Sequence, residues 1–310
     1  MPIYNVGPYL REAIDSILEQ SFKDFELIAL DDCSQDESES ILDTYSDPRI
    51  VRYRGEKNVG LANILNVGLK MARGKYIARM DSDDISLPQR LQIQVKYLDK
   101  HEDIDLVSTG MQRFGASNDI ISHRTNFEDI KFNALFYAPV LHASSMWRKS
   151  AFTENNLYYR QEMVPSEDYD LWTRALAHGV ILSNIPDILY LYRTHQGQAT
   201  SNIKKESKDQ IISDLFIRTI FPGISDERVQ TLRNIWRKQS AESFKNVIST
   251  YEEENAKSSY FDQNALHKRL TRQYQAILYK EMKQDEIRIS ELHKLRIRQI
   301  AKLIWSRLLS

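Results

Sequence analysis

The N-terminal two thirds of the chain alternate between strand-like and helix-like segments. After Pro8, apolar residues recur at helical spacing, and the segment DFELIALDD follows as a short buried strand that ends in Asp31 and Asp32. The strand-like RIVRY, a helical segment that ends before Gly74, and the strand KYIARM continue the order. Because strands that are joined by helices form parallel sheets, this alternation predicts an α/β fold with a mainly parallel sheet and flanking helices.

The middle of the chain continues the pattern less regularly. A helix is predicted from Pro88 to about Leu98, because apolar residues recur there on one helical face. The segments DLVSTGMQRF and APVLHASSMW are predicted to be further strands. Ser166 is the predicted N-cap of a helix that ends at Gly179.

The composition changes after about residue 204. Of the ten glycines and eight prolines in the chain, only Gly223 and Pro222 lie beyond this point, whereas charged residues and helical spacings dominate. The sequence therefore predicts two parts, an α/β domain of residues 1–203 and an α-helical C-terminal region of residues 204–310.

Charge and composition exclude several classes of protein. The formal net charge of -1 over 310 residues provides no overall field that would attract a polyanion, so we expect no nucleic-acid partner. The single cysteine, Cys33, cannot form an internal disulfide, and the sequence has no run of 18 or more apolar residues. The N-terminus carries no basic and apolar signal segment. We therefore expect a cytoplasmic protein.

Three carboxylates follow directly on the strand KYIARM, at Asp81, Asp83 and Asp84. Ligands of open α/β sheets bind beyond the carboxyl ends of the strands, and like charges at this spacing need compensation. One interpretation is a divalent cation, Mg²⁺ or Mn²⁺, that bridges the carboxylates to substrate phosphates. The other is that Asp83 and Asp84 only cap the helix that begins near Pro88. The D-x-D triplet alone does not decide between them.

Three longer segments carry a family resemblance when they are taken in order. They are MPIYNVGPYLREAIDSILEQSFKDFELIALDDCS, NVGLANILNVGLKMARGKYIARMDSDD and SEDYDLW. Together they resemble the inverting family 2 glycosyltransferases of the bacterial envelope polysaccharide type, whose nucleotide-binding fold is called GT-A. The resemblance spans Met1 to about Ser201. It implies a metal-dependent transferase that moves a sugar from a nucleotide diphosphate donor to an acceptor hydroxyl with inversion.

The resemblance implies nucleotide-binding roles at two places early in the chain. Pro2, Tyr4 and Asn5 match the P-x-Y-N segment of the family, in which the aromatic ring offers a stacking face near the base. Asp31 and Asp32 match the acidic pair that recognises the base and the ribose. Because a carboxylate that accepts from an imide N–H favours uracil, the implied donor is a UDP-sugar.

The next matches concern the loop near the nucleotide and the cation. Asn58 and Gly60 match the loop that approaches the nucleotide, although turn chemistry alone would also explain this pair. Asp81 and Asp83 match the D-x-D of the family, which makes Asp83 the implied direct metal ligand and places Asp81 nearer the ribose or the metal. Arg79 is expected on the strand face of Asp81, where it would offset part of the acidic field or form a plain ion pair.

The remaining matches imply a general base and a further metal ligand. Glu167 and Asp168 match the E-D pair of the family, and Asp168 is the implied general base that accepts the proton of the acceptor hydroxyl. The alternative is that both acids merely favour the N-terminus of the helix after Ser166. His195 matches a histidine that in some members completes the metal shell.

The sequence departs from the family at its first strand. Family members place an apolar strand ahead of P-x-Y-N, whereas here only Met1 precedes that segment. Loss of this central strand would leave the backbone groups of its neighbours unpaired. We therefore expect a GT-A sheet in which the first strand is missing, and we hypothesise that the natural protein starts several residues upstream.

The C-terminal segment of residues 292–310 contains five basic residues and no acidic residue. A basic amphipathic helix of this kind can lie on an anionic membrane, and it can equally dock on its own protein. A peripheral contact at the inner face of the membrane would suit a lipid-linked glycan acceptor, by analogy with the family. No residue identifies the acceptor or the donor sugar.

Two functions of other classes stay open. A phosphatase of the haloacid dehalogenase type also carries a strand-end D-x-D, but on an early strand and usually with a threonine after it. The other alternative is a protein that binds a nucleotide sugar without turnover, because loss of the first strand would impair activity even though the site residues remain.

Overall fold

The computed structural model describes residues 1–195, 206–236 and 240–283. The contacts divide the chain into two compact units, of which the first ends at Phe216 and the second begins at Ile217. The first unit contains two β-sheets with their helices, and the described part of the second unit is helical.

The first sheet has three parallel strands in the order β1, β2, β3. They are β1 Pro2–Ile3, β2 Leu27–Asp31 and β3 Ile50–Arg54. Three helices alternate with these strands, namely α1 Gly7–Leu18, α2 Ser38–Asp43 and α3 Leu61–Met71. The predicted strands and helices in this part of the chain are confirmed, but the short helix α2 and the two-residue strand β1 were not foreseen.

The second sheet is mixed and has the order β4, β8, β6, β9, β5, with β7 paired to β6. Its strands are β4 Tyr76–Ala78, β5 Ile85–Ser86, β6 Leu106–Gly115, β7 Ile120–Ile121, β8 Met146–Arg148 and β9 Leu182–Thr194. The long strands β6 and β9 are parallel, whereas β8 is antiparallel to both β4 and β6. The helices of this part are α4 Arg90–Lys100, α5 Phe127–Asn133, α6 Lys149–Glu154 and α7 Glu167–Ala177.

The first strand, β1, is short. β1 contributes only Pro2 and Ile3, which pair with Leu30 and Asp31 of β2. In the described residues β4 pairs with β8 alone, so β4 is a free edge of the second sheet. In the first sheet, the part of β2 near Leu27 has no described strand on the side where β1 pairs with Leu30 and Asp31. The architecture is therefore α/β with two separate sheets in the described residues.

The predicted strand APVLHASSMW is only partly formed. A 3₁₀ turn spans His142–Ser144, and strand β8 begins at Met146. The hydroxyl of Ser145 donates to the His142 carbonyl at 2.7 Å, and that of Ser144 donates to the Thr109 carbonyl at 3.1 Å. Such serine bonds to the backbone compete with a regular strand ladder, which explains why the apolar pattern overestimated this strand.

The second unit confirms the predicted helical character in its described residues. Four helices are present from the end of the first unit onward, namely α8 Glu206–Ile220, α9 Asp226–Arg233, α10 Ala241–Ser258 and α11 Gln263–Lys283. Buried Tyr251 of α10 donates its hydroxyl to the Leu232 carbonyl of α9 at 3.1 Å. None of the described helices is both long and apolar enough to span a membrane. The segment 292–310 lies outside the described residues.

A buried glutamine fastens α1 to the start of α4. The side chain of Gln20 is completely buried, and its amide nitrogen donates to the Leu87 carbonyl at 2.8 Å. Its amide oxygen accepts from the Leu91 N–H at 3.0 Å. Because the first N–H groups of a helix have no partner within the helix, Gln20 satisfies a donor that burial would otherwise leave unpaired.

Replacing this glutamine with leucine should destabilise the first unit. Gln20→Leu keeps the volume but leaves the buried Leu91 N–H without the Gln20 acceptor, whereas the Leu87 carbonyl still accepts from the Arg90 N–H at 3.0 Å, so we expect a loss of about 1–3 kcal/mol in the free energy of unfolding. Urea denaturation measures the loss, and Lys23→Ala at an exposed position serves as the control with a change of about 0.5 kcal/mol or less. Equal midpoints for the two variants would contradict the role of Gln20.

Candidate functional site

The acidic loop of residues 81–84 lies between β4 and β5 at the edge of the second sheet. Asp83 Oδ2 is 3.1 Å from His195 Nε2, although the two residues are 112 positions apart in the sequence. Asp81 Oδ1 is 2.5 Å from a guanidinium nitrogen of Arg79, whose side chain is buried. The contact between Arg79 and Asp81 confirms that these residues share one face of the chain.

Burial and mutual repulsion perturb the carboxylates of this loop. Burial, followed by the charges of Asp81 and Asp83, raises the pKa of Asp84 to about 8. Burial and then the charge of Asp81 also raise the pKa of Asp83. Asp84 Oδ1 accepts a hydrogen bond from the Arg193 N–H at 2.7 Å, so strand β9 holds this carboxyl in place. The loop therefore has a surplus of negative charge that a cation would relieve.

The structure contradicts the interpretation in which Asp83 and Asp84 only cap the next helix. Gln89 occupies the N-cap position of α4, and strand β5 separates the helix from the two aspartates. The buried side chain of Arg90 turns back under the loop and donates to the Arg79 carbonyl at 2.8 Å. Both Asp83 and Asp84 thus belong to the strand-end loop rather than to the helix.

The donor atoms of this loop fit a divalent cation with few protein ligands. The carboxylate of Asp83 and the imidazole of His195 are already in contact. Asp81 adds a second carboxylate, which forms an ion pair with Arg79. Within the described residues, no three acidic, histidine or cysteine side chains are grouped so as to hold a metal by themselves. Mg²⁺ and Mn²⁺ commonly complete such partial protein shells with water and substrate phosphates.

The end of β2 organises a second group of predicted residues. Asp32 accepts from the N–H groups of Val59 and Gly60 at 2.8 and 2.9 Å, one at each carboxylate oxygen. Asp31 Oδ1 accepts from the Ser34 N–H at 2.9 Å. Its other oxygen is buried and accepts no hydrogen bond in the described residues, although Arg54 Nε lies 4.0 Å away. Asp32 thus fastens the loop after Asn58, whereas Asp31 retains a buried acceptor.

The turn after β1 presents an aromatic ring next to this strand end. Tyr4 is 48% exposed, which is unusual for so large a side chain. Its neighbour Asn5 has a φ of 52° and is held by two bonds, from its own N–H to Ser34 Oγ at 3.1 Å and from the Gln35 N–H to its Oδ1 at 2.8 Å. Pro2 is buried in β1. The turn therefore fixes Tyr4 with an open ring face.

Gly60 occupies a backbone conformation that other residues rarely adopt, and the side chain of Gln161 lies over it. Its φ is +87°, and a Cβ at this position would lie 2.6 Å from Gln161 Nε2. Gln161 also accepts from the Asn63 N–H at 3.3 Å, so the 3₁₀ turn Gln161–Met163 lies over the loop at the start of α3. Sequence reasoning missed Gln161, because no local pattern connects it to a loop about a hundred residues earlier.

The predicted acidic pair lies in the first turn of α7. Ser166 occupies the N-cap position as expected, but its side chain makes no capping bond. Glu167 is buried and Asp168 is half-buried, with the Tyr169 N–H 2.7 Å from Asp168 Oδ1. This position is compatible both with a general base and with a plain helix-start acid. The helix itself is anchored by Trp172, whose ring packs edge-on against Trp147 at a centroid distance of 5.9 Å.

Tyr159 links the acidic loop to the start of α7 electrostatically. Its side chain is buried, and its hydroxyl lies 2.8 Å from His142 Nε2. Burial raises the pKa of Tyr159, the charge of Arg79 opposes this shift, and the charges of Glu167 and Asp168 add to it. Tyr159 therefore stays protonated between the two acidic groups. Sequence reasoning missed this tyrosine, because it lies in no recognisable motif.

Substitution of Gly60 should show how tightly Gln161 covers the loop. Gly60 has φ 87° and ψ 160°, a backbone conformation almost restricted to glycine, so we expect Gly60→Ala to lower the free energy of unfolding by about 2–3 kcal/mol. Displacing the exposed amide end of Gln161 adds only a smaller part of this cost. Gly179→Ala is the comparison for a positive φ without overlap, because Gly179 ends a helix with a φ of +80° and has no atom within 4 Å of the position that a Cβ would take. Its cost should stay near about 1 kcal/mol.

A double mutant separates the two causes. If Gln161 causes part of the cost, Gly60→Ala should cost less when Gln161 is replaced by alanine than when Gln161 is present. Thermal and urea unfolding of these variants measure this coupling. Equal costs of Gly60→Ala with and without Gln161 would contradict the proposed contact.

Comparisons with known proteins agree on one family. The family described as Glycosyl transferase family 2 matches residues 1–166, which is more than half of the chain. A glycosyltransferase of Methanocaldococcus jannaschii, MJ1057, described as uncharacterised, is 34% identical over 206 residues, which cover 64% of this chain and 70% of that protein. EpsE of Bacillus subtilis, described as a glycosyltransferase, is 37% identical over 200 residues, which cover 62% of this chain and 71% of that protein.

The solved structures agree with this family at the level of the fold. The structure of S. aureus TarS 1-349 in complex with UDP-GlcNAc has a TM-score of 0.62 and 17% sequence identity, and it covers 92% of this chain and 90% of that chain. The match supports a GT-A architecture for this chain. The chain therefore belongs to glycosyl transferase family 2 and is a GT-A glycosyltransferase rather than a phosphatase.

Proposed function

We propose that this glycosyltransferase moves a sugar from a nucleotide diphosphate donor, most simply a UDP-sugar, to an acceptor hydroxyl with inversion. The observation that carries the proposal is the contact of Asp83 with His195 at the end of a strand, beside the ion pair of Asp81 with Arg79. Carboxyl groups whose pKa is raised in this way do not stabilise a core, but they are suited to bind a cation that accompanies a diphosphate.

The cation would be Mg²⁺ or Mn²⁺, held by Asp83 and His195 with Asp81 beside them. When bound, it supplies positive charge to the diphosphate as that group departs. The protein residues do the remaining work. Arg79 limits the repulsion of Asp81, and Arg193 fixes the loop through the Asp84 carboxyl. The site is thus held in shape before the donor binds, which lowers the reorganisation that the reaction requires.

The nucleoside would lie over the end of β2. The exposed ring of Tyr4 offers a stacking face, with Pro2 and Asn5 shaping its turn. The buried oxygen of Asp31 that accepts no hydrogen bond in the described residues suits the imide N–H of uracil, because a charge-assisted bond there would satisfy both groups. Asp32 already accepts two backbone bonds and acts mainly by holding the loop.

That loop would cover the donor from the other side. Asn58 and Gly60 lie in the segment that Asp32 fastens, and the missing side chain of Gly60 allows a close backbone approach. TarS was solved with UDP-GlcNAc, which is a donor of the proposed class. The donor sugar itself is not specified by any of these residues.

The general base would be Asp168, and the buried Glu167 precedes it in the first turn of α7. Asp168 is half-buried at the N-terminus of α7, where the helix dipole favours an ionised carboxylate. An inverting displacement needs such a carboxylate within hydrogen-bond reach of the acceptor hydroxyl. The acceptor we propose is a glycan or a lipid-linked glycan of the bacterial surface, met at the inner face of the membrane.

Cation binding should release protons. Because the pKa of Asp83 is raised and that of Asp84 is raised to about 8, protons held by this loop would be displaced by a nearby cation. Affinity for Mn²⁺ should therefore rise several-fold as the pH rises from acidic to slightly alkaline values, because fewer protons then compete. Calorimetry in two buffers of different ionisation enthalpy counts the protons released.

The matched controls for this measurement are two acid-to-amide changes. Asp83→Asn should abolish most of the Mn²⁺ affinity, whereas Asp103→Asn, at an exposed position of the first unit, should leave it unchanged. Mn²⁺ affinity that does not vary with pH, or that survives Asp83→Asn, would contradict the cation site.

Turnover should depend on Asp168 without a matching loss of donor binding. UDP release from a panel of UDP-sugars, with Mn²⁺ and candidate acceptors present, measures activity. Asp168→Asn should lower kcat by roughly 10²–10⁴ while the donor affinity stays the same, because a general base acts in the chemical step. Glu162→Gln, an exposed acid on the neighbouring turn, is the control and should retain activity.

The outcomes of this assay distinguish the competing functions. Full turnover by Asp168→Asn would remove the general base assignment. If the donor binds but no UDP is released with any of the acceptors, the protein binds the nucleotide sugar without turnover.

A further inference from the structure

Helix α1 contacts the end of β9 through two residues near its start. Tyr9 and Glu12 are three positions apart and therefore lie on one face of the helix. Both contact Arg193, which forms an ion pair with Glu12 and places its guanidinium carbon 4.8 Å from the centroid of the Tyr9 ring. This face of α1 therefore meets the strand that leads to His195.

Arg193 holds the acidic loop at two points. Its main-chain N–H donates to Asp84 Oδ1 at 2.7 Å, and its side-chain Nε donates to the Asp83 carbonyl at 2.7 Å. The second bond depends on where the guanidinium lies. Because the Asp83 carbonyl belongs to the residue that carries the carboxylate, the position of the guanidinium helps to set the position of that carboxylate.

Two aromatic rings fix the Arg193 guanidinium. Its central carbon lies 4.4 Å from the centroid of the Phe114 ring of β6, in addition to its contact with Tyr9. The side chain of Arg193 is only 15% exposed, and cation–π contacts are stronger when they are shielded from water. A guanidinium is flat and stacks on aromatic rings, whereas an ammonium group is a compact point charge. Tyr9 and Phe114 thus limit the directions in which this guanidinium can point.

The ring of Tyr9 also packs against His195. The centroids of the two rings are 4.6 Å apart, and the ring planes are tilted by 42°. The same imidazole has its Nε2 3.1 Å from Asp83 Oδ2. Packing against a neighbouring ring restricts how the imidazole can rotate. Tyr9 therefore contacts both the histidine that would bind the cation and the arginine that fixes Asp83.

The backbone at the end of β9 is held by bonds that do not involve Tyr9. The hydroxyl of Thr194 donates to the Phe114 carbonyl at 2.8 Å and accepts from the Ser117 N–H at 3.1 Å. These bonds fasten the end of β9 to the end of β6, where the two strands also pair. Loss of the Tyr9 ring should therefore disturb the side chains of Arg193 and His195 while the strand stays in place.

We propose that Tyr9 is a positioning residue of the cation site, a role that rests on the site proposed above for Mg²⁺ or Mn²⁺. Its ring holds the His195 imidazole and the Arg193 guanidinium in the places from which they reach the cation and the Asp83 carbonyl. Residues that orient metal ligands in this way contribute to metal affinity without touching the metal. Since α1 begins at Gly7, just after the turn that presents Tyr4, one short part of the chain would serve both ends of the donor.

Affinity for Mn²⁺ alone tests this role in the full chain, with the EPR signal of free Mn²⁺ as the measurement. Tyr9→Leu keeps an apolar side chain but removes the ring, so it should weaken Mn²⁺ binding about tenfold. Tyr9→Phe keeps the ring and should bind Mn²⁺ within about twofold of the wild type. Each variant is measured well below its melting temperature.

Tyr45→Leu is the matched control. The Tyr45 ring also lies against an arginine of α1, with Arg11 Cζ 5.6 Å from its centroid, and its hydroxyl donates to Asp15 at 2.7 Å. Tyr45→Leu should therefore lower Tm while the Mn²⁺ affinity stays within about twofold of the wild type. A purely structural role of Tyr9 would give this same result for Tyr9→Leu.

A double variant shows whether Tyr9 acts through Arg193. Arg193→Lys keeps the positive charge and the main-chain bond to Asp84, but it loses the flat group that donates to the Asp83 carbonyl. It should also weaken Mn²⁺ binding about tenfold. When Tyr9→Leu and Arg193→Lys are combined, the loss should be smaller than the product of the two single losses.

Three results would overturn the proposal. They are a Tyr9→Leu variant that binds Mn²⁺ as tightly as the wild type, a Tyr9→Phe variant that binds as weakly as Tyr9→Leu, and single losses that multiply in full. If the wild type binds Mn²⁺ and Asp83→Asn does not, any of these results removes only the role of Tyr9. A wild type that binds no Mn²⁺ removes the cation site and the role of Tyr9 together.

Discussion

Negative charge crowded at a strand end has to be compensated, and the arrangement of the second sheet depends on how this is done. Arg79 and Arg90 are both buried, and they lie under the loop that carries Asp81, Asp83 and Asp84. An uncompensated buried carboxylate costs several kcal/mol, so the loop requires these guanidinium groups in order to exist in the folded protein. The compensation is incomplete, since the pKa of Asp84 is still raised. This residual imbalance suits the loop to a cation rather than to a closed ion-pair network.

The two sheets contribute different kinds of interaction to the proposed donor site. At the end of β2, most bonds of Asp31 and Asp32 go to backbone N–H groups, which fix loops in place at short range. At the end of β4, charged side chains dominate and act over longer distances. A donor with a flat base at one end and a diphosphate at the other matches this division.

Local patterns predicted the elements of this fold well, whereas side-chain partners required the fold itself. Strands β2, β3 and β4 follow from apolar runs, and the acidic loop follows from the Asp residues that directly succeed one of them. Gln161 covers Gly60 and Tyr159 bonds to His142, but no periodicity or motif reveals either partner. The strand predicted at residues 138–147 is shorter than expected because its serines bond to the backbone, which an apolar pattern does not register.

The two bonds from the loop to Asp32 have a consequence for how nucleotide preference can evolve in this protein. A substitution at Asp32 would release the N–H groups of Val59 and Gly60, and in the proposed donor site it would impair binding of every donor alike. In the donor position that we propose, a change at Asp31 or Tyr4 would alter the surface next to the base and leave that loop attached. Substitutions that change nucleotide preference are therefore expected at Asp31 and Tyr4 but not at Asp32.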